Sequence, residues 1–478
     1  MHKLLNRYKT LPVAVKASLW FTICSIITKG IAFITTPIFT RILTTEQFGQ
    51  YNVFLSWQGI IGIFTSLRLY YGVFNNGMIK YEKDKSGFTS SMIGLTTALT
   101  LFISLIFLIF QEPLSAILSM SPFLMMLLLI EELFLSAISL WSAQKRYDFK
   151  YRSVVGVTIG IAIANPVLGI IMCLSTNDRG TARIVSSVIV QIVFGLIIYI
   201  LVMIRGKKVF FWEYWKYALL FNLPLIPHYL SQIVLSQSDR IMIGHFCGNN
   251  YVGMYGVAFS LSQVLNIITN SVNSSFVPWQ YRKMKENKFE EIAKIANALL
   301  LGLAAMLVMF IIVAPELMKI ISTPAYYEGV WVIPPLTISL FFSFLYTLFA
   351  NVEFYYEKRK YVLIASIVSA LLNLILNYLF INLFGFIAAA YTTLFCFILY
   401  CVAHFFFMNK TLRENGVYQK VYSVSFISKV VIVMLVISTV SVLCYDLAVI
   451  RYVLFIIALI IMVIKRKIII SAVKLIRS

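Results

Sequence analysis

At 478 residues, 60% of them hydrophobic, 12% charged and with a mean hydropathy of +0.88, the chain reads as an integral membrane protein and not as a set of soluble domains. Its net charge of +21 lies in short basic clusters between apolar runs, which are orientation signals and argue against a nucleic-acid partner. Six cysteines without a CxxC or a Cys/His cluster imply neither metal nor disulfides, and no cofactor is expected.

A bilayer core about 30 Å thick needs roughly 20 apolar residues at about 1.5 Å rise each. In chain order, a basic cytoplasmic segment, 1–16, leads into expected spans starting near Ser18, Phe48, Phe88, Pro113, Ser153 and Ala182. The first span is too long for a signal h-region and lacks a small-residue cleavage site, so it is expected to be retained. After the basic cluster around Lys207, spans are expected near Tyr217, Tyr251, Ile292, Gly329, Tyr361 and Gly385, then near Phe426 and Ala448. The last, Ala448 to Ile464, is only 17 residues, and IIISAVKLI beyond it suits an interface. Fourteen spans place 32 of the 40 Lys and Arg on one side and five on the other, so both termini are expected in the cytoplasm. Cys247 then faces outward.

The halves repeat. TTPIFTRILTTEQFGQYNVFLSW carries Arg41, Gly49 and Tyr51, and SQSDRIMIGHFCGNNYVGMYGVAFSL carries Arg240, Gly253 and Tyr255. The arginines are 199 apart and the glycines 204; Lys80 and Lys283 are 203 apart, Asn165 and Asn373 208, Gly180 and Gly385 205. Six spans per copy is an even number, which makes the copies parallel about an axis along the membrane normal. The expected organisation is an N-lobe, 17–210, a C-lobe, 211–410, and two appended helices with a cytoplasmic tail, 411–478. The fold class is therefore all-α integral membrane, with about fourteen transmembrane helices in two pseudo-symmetric six-helix lobes plus two C-terminal helices.

The strings PIFTRILTTEQFGQY, SDRIMIGHFCGNNYVGMYG and NLILNYLFINLFGFIAAAY resemble the polysaccharide-transporter family of the multidrug, oligosaccharidyl-lipid and polysaccharide exporter superfamily. The resemblance covers roughly the whole chain. It implies two lobes around a central cavity in a bacterial cytoplasmic membrane. It also implies an activity of flipping undecaprenyl-diphosphate-linked sugar repeat units outward for capsule, O-antigen or exopolysaccharide assembly. Where the family often has GIxGAA this chain has GFIAAA, with Gly385 alone, a departure expected to change packing. The partners expected on this reading are the lipid-linked oligosaccharide, membrane lipid and a coupling ion, H+ or Na+, with association with polymerase machinery left open.

A charge at the centre of a lone helix costs about 2.5 to 3.5 kcal/mol on insertion scales, so intramembrane ionisable residues mark cavities or partners. Lys29, midway between Lys16 and Arg41, is the first candidate for a diphosphate, with Arg68, Arg240 and Arg41 as further cations. Each also has a structural reading: an interhelical ion pair for Lys29, snorkelling for Arg68, interface anchoring for Arg41, and pairing with Asp239 for Arg240. Glu131 and Glu132, adjacent in the fourth span and about 100° apart on a helix, should not both face one neighbour. They suit proton or sodium coupling, or an ion pair with Lys29. His228 and Asp239, eleven residues apart on one face, are further coupling candidates, His228 having a packing role as its plainer reading. Asn165, Asn373, Asn377 and Gly385 read as a helix-packing set. Pro37, Pro166, Pro224 and Pro227 should kink the first, fifth and seventh spans.

Two other functions compete: a cation-coupled multidrug or lipid II exporter on the same scaffold, and a membrane glycosyltransferase or polymerase. An enzyme of the latter kind needs a sizeable extramembrane loop with clustered acids, and the gaps between spans are short and basic. The excess of cations near the spans favours an anionic head group over cationic drugs.

Overall fold

The computed structural model describes residues 12–477, with side chains as far as residue 464 apart from 461. The expected leader falls outside these residues up to position 11, and the basic cluster after Ile464 outside the described side chains. No strand occurs among the described residues.

The chain forms two compact units, Met1–Gly253 and Met254–Ser478. The first contains α1 (Val13–Ile42), α2 (Thr45–Ser66), α3 (Gly72–Lys80), α4 (Lys85–Ile109), α5 (Gln111–Leu118) and α6 (Pro122–Tyr147). It continues through α7 (Tyr151–Leu174), α8 (Arg179–Gly206), α9 (Trp212–Asn222), α10 (Ile226–Phe246) and the first turn of α11 (Asn249–Lys285). The second holds the rest of α11, α12 (Phe289–Ile312), α13 (Ala314–Ile321), α14 (Ile333–Tyr355) and α15 (Arg359–Phe384). It ends with α16 (Ala388–Glu414), α17 (Val424–Leu443) and α18 (Ala448–Arg477). Twelve of the described helical segments are long and apolar enough to cross a membrane. The α2–α3 stretch and the shorter apolar part of α18, both among the expected fourteen, are not among these twelve.

Helix starts follow capping chemistry. Thr44 accepts from the Gln47 backbone at 3.2 Å while Gln47 Oε1 accepts from the Thr44 backbone at 3.1 Å, a capping box that opens α2. Ser121 followed by Pro122 opens α6. The expected start of that span near Pro113 is corrected here: Pro113 belongs to the short α5, which ends at Ser119 in a left-handed conformation. Pro37 and Pro166 lie inside continuous helices. Pro224 and Pro227 do more than kink the seventh span. They divide it into α9, a 3-10 turn over Leu223–Leu225, and α10.

Each unit has its own core. In the first, Phe54, Leu124, Leu128 and Ile184 pack at one level and Phe74, Phe88, Leu140 and Tyr214 at another. In the second, Leu300, Leu307, Phe341 and Leu348 lie inside, while large apolar side chains such as Leu371, Ile375 and Phe384 remain exposed, as lipid-facing residues do. Arg451 at the start of α18 docks that helix by two bonds to Glu316, at 2.7 and 2.8 Å, and a third to the Ile312 carbonyl at 3.1 Å. Glu316 is held below the usual carboxylate range: burial pushes it up, and the Arg451 and Tyr452 hydrogen bonds outweigh that.

Candidate functional site

The interruption between α2 and α3 builds a polar cavity in the first unit. Leu67 and Arg68 both adopt left-handed backbone conformations, with φ of 45° and 51°, without being glycine. Irregular backbone at membrane depth must find new partners. It does: Arg68 N–H donates to Ser66 Oγ at 3.2 Å, and the Leu67 carbonyl accepts from the Asn222 side-chain amide at the end of α9. Two interrupted helices are thereby tied together.

Beside this break lies a cavity of about 380 Å³ lined by Gln58, Ser66, Arg68, Glu132, Ser136 and Gln237 among others. A second cavity, of about 470 Å³, shares Tyr70 and Ser139 with it and carries Asn75 and Arg146. Arg68 Nη1 donates to Tyr70 Oη at 2.9 Å, and the guanidinium acts electrostatically on Glu132. Thr65 Oγ1 donates to Glu132 Oε2 at 2.9 Å. The site thus sets one cation and one acid in a single polar enclosure.

Glu131 and Glu132 are each 3% exposed. Contrary to expectation, both reach the same neighbour. Glu131 hydrogen-bonds Gln58 and Glu132 bonds Thr65, seven residues further along α2, so their divergence spans two turns of one helix. Glu131 Oε2 has no hydrogen-bond partner among the described residues. The ion pair with Lys29 is absent: Lys29 is exposed on α1 and makes no salt bridge among the described residues.

Of the four candidate cations, Arg68 lines the cavity. Arg41 and Arg240 share a local geometry: each donates to the carbonyl four residues back, Arg41 to Pro37 at 2.7 Å and Arg240 to Ser236 at 2.9 Å. Arg41 is exposed, whereas Arg240 and its neighbour Asp239 are buried. His228 is half-buried in the first turn of α10. Asn165 is half-buried on α7 with its Oδ1 unpartnered among the described residues. In the second unit Asn377 donates to Asn373 at 3.2 Å, Asn373 donates to Thr393 at 3.4 Å, and Thr392 donates to Asn377, a ladder joining α15 to α16. Gly385 ends α15 with φ of 76° and open space where a Cβ would lie, so it serves a turn and not close packing.

The repeated glycines meet. A Cβ on Gly49 would overlap the Asn249 carbonyl, one on Gly253 would overlap the Thr45 carbonyl, and Thr45 Oγ1 donates to Asn250 Oδ1 at 2.8 Å. This packs the start of α2 tightly on the start of α11.

Gln58 and Gln237 escaped sequence reasoning, which sought charges; amides within the spans were the available signal. So did Glu353 and His404, a fully buried pair 2.8 Å apart in the second unit.

A sequence model of the family described as "Polysaccharide biosynthesis protein" matches residues 14–284, and one described as "MatE" matches residues 224–379. Two Haemophilus influenzae proteins are similar. "Lsg locus putative protein 1" is 31% identical over 164 residues, 33% of this chain and 39% of that protein, so the match takes in about two fifths of that relative's length. An "uncharacterized membrane protein" is 23% identical over 382 residues, 75% of this chain and 88% of that protein. Among solved structures, the lipid II flippase MurJ in an inward closed conformation superposes with a TM-score of 0.70 at 14% identity, covering 94% of this chain and 100% of that one. An inward-facing multidrug resistance MATE transporter gives 0.60 at 13%, covering 83% and 98%. At such identities these likenesses establish the fold.

Proposed function

We propose, from the premise that this chain belongs to the polysaccharide biosynthesis protein family, that it is a flippase. On this reading it moves undecaprenyl-diphosphate-linked oligosaccharide repeat units from the inner to the outer leaflet of the bacterial cytoplasmic membrane by alternating access, and catalyses no covalent step. The observation that carries the reading is Arg68, set by a helix break into a polar cavity opposite Glu132.

A diphosphate brings about two negative charges and several acceptor oxygens, which an apolar wall cannot compensate and a fixed guanidinium can. Lys29, Arg240 and Arg41 are the further cations along its route, and the glutamines and serines of the cavity suit sugar hydroxyls of varied glycans. Glu132 supplies the switch. With a proton on its carboxyl, Arg68 is unopposed and binds the diphosphate; once the proton leaves, the restored carboxylate competes for the guanidinium and the head group is released. Glu131, Asp239 and His228 are the remaining coupling candidates, and the lobes 17–210 and 211–410 are the bodies proposed to alternate, with both chain ends in the cytoplasm and polymerase machinery as the receiving partner.

The test is the lipid-linked intermediate in a deletion strain. Accumulation of a sugar-bearing polyprenyl diphosphate on the inner leaflet supports the reading. Accumulation of a monosaccharide-linked precursor, or none at all with surface polysaccharide lost, places the protein at a synthetic step instead.

A further inference from the structure

The second unit buries an acid and a base that the switch above does not use. Glu353, in the last turn of α14, and His404, on α16, have no solvent exposure, and His404 Nδ1 lies 2.8 Å from Glu353 Oε1. Neither Glu353 Oε2 nor His404 Nε2 has a hydrogen-bond partner among the described residues. The imidazole is walled by aromatic rings, Tyr346 stacked at 5.5 Å and Tyr400 edge-on at 4.6 Å. Tyr400 in turn shares a hydrogen bond with Ser366 on α15 at 3.0 Å.

Proton counting limits what such a couple can do. One proton at the shared 2.8 Å contact gives a carboxylate with a neutral ring and a net charge of minus one. A second gives either a carboxylate with an imidazolium or a carboxylic acid with a neutral ring, both neutral overall. A lone buried charge is costly, so an enclosed couple keeps the second proton unless another charge compensates it. None does among the described residues. Of the ionisable groups, His404 is the one that acts on Glu353. The titratable side chains around the pair from its own two helices are Tyr346, Tyr400 and Cys401, all apart from the Oε1–Nδ1 contact. Lys358, just beyond α14, is turned to Glu414 at 2.7 Å. On the α11 side of α14, Asn351 bonds Gln280, which bonds Tyr422, a neutral network, and Tyr281 meets Tyr355 edge-on. α12 carries no ionisable side chain after Lys294, and the cations of α15, Arg359 and Lys360, stand at its first residues.

We infer that Glu353 and His404 form a proton-binding site, holding one exchangeable proton while enclosed and losing it when water reaches the couple, so that the second unit carries a proton in each cycle. The carriage rests on the transport reading; the binding site does not.

Nitrogen-15 histidine spectra of the purified protein in lipid bilayers, with His404→Gln to assign the signal, test the site. The His404 nitrogens are expected to shift between about pH 5 and about pH 9, with a midpoint displaced by about one unit or more in Glu353→Gln. Shifts that stay constant over that range, or an identical midpoint in Glu353→Gln, overturn it. Glu353→Asp, which keeps the charge, guards against misfolding and is expected to restore a titrating signal. In proteoliposomes, stimulation of lipid-linked sugar movement by a pH gradient is expected to vanish in Glu353→Gln and survive in part in Glu353→Asp. A titrating couple with undiminished stimulation in Glu353→Gln overturns the carriage. If the wild type moves no lipid-linked sugar, the transport reading and the carriage fall together, while the spectra still decide the site.

Discussion

The side-chain amide of Asn222 donates to the main-chain carbonyl of Leu67, so the interruption of the seventh span holds the interruption of the second. Leu67 is 5% exposed and Asn222 fully buried, which leaves water unable to replace the bond. Asn222→Ala is expected to cost about 1 to 3 kcal/mol, the penalty for orphaning a buried carbonyl. The check is a lowered melting temperature of the purified protein together with reduced export, and a melt unchanged from wild type would show that the two breaks are held independently.

Charge should matter more than shape among the candidate cations. Arg68→Lys and Lys29→Arg are expected to keep part of the activity, and Arg68→Gln and Lys29→Gln to lose most of it at normal protein level. Surface polysaccharide and the sidedness of the lipid-linked unit in a complemented deletion strain provide the measurement. Full export by a correctly inserted Lys29→Gln, Arg68→Gln, Arg240→Gln variant would reduce these residues to topology and packing elements.

For the acids, Glu131→Gln with Glu132→Gln preserves volume and leaves Thr65 an acceptor. The double variant is expected to fold, to bind lipid-linked diphosphate as well as or better than wild type, and to release it slowly. Export at the wild-type rate, with the same dependence on pH and sodium, would place coupling elsewhere.

Gly49→Ala is expected to drive a methyl group into the Asn249 carbonyl and destabilise the packing of α2 on α11 by about 1 to 3 kcal/mol. In a variant whose one remaining cysteine is Cys247, an impermeant thiol reagent is expected to label intact cells, and faster once Gly49 is Ala. Labelling only after permeabilisation would invert the topology.

The dock of the last helix should be acid-sensitive. Because Glu316 sits below its unfolded value, its contribution is present at neutral pH and is lost as pH falls through the folded value, below the ordinary glutamate range. Glu316→Gln should remove that acid sensitivity and lower the melting temperature at neutral pH; a melt with the wild-type pH profile would show that Arg451 docks through the Ile312 carbonyl alone.

The helices were legible because their signals are local: apolar runs separated by Lys and Arg clusters, Thr44 three residues before Gln47, Ser121 before Pro122. The break at Leu67 and Arg68 was not, since neither residue is Gly or Pro and the partner of the Leu67 carbonyl, Asn222, lies 155 positions away. Arg68 and Glu132 were both singled out as rare charges in apolar surroundings, but their meeting required knowing which face of α6 lies on α2. Glu353 and His404 went unnoticed for a related reason: 51 residues separate them, and each alone resembles an ordinary residue near a helix end or in a packed span.

The contact between the repeated glycines has the form of an isologous interface. Gly49 packs on Asn249, and Gly253 packs on Thr45; both the glycines and their contact residues are 204 positions apart, so one patch meets its own copy about a local two-fold axis. A self-complementary patch needs only one solution to its packing problem, written twice. It is the kind of surface through which two separate copies of a single repeat would already have paired, and fusing those copies would have preserved the joint while freeing each half to diverge.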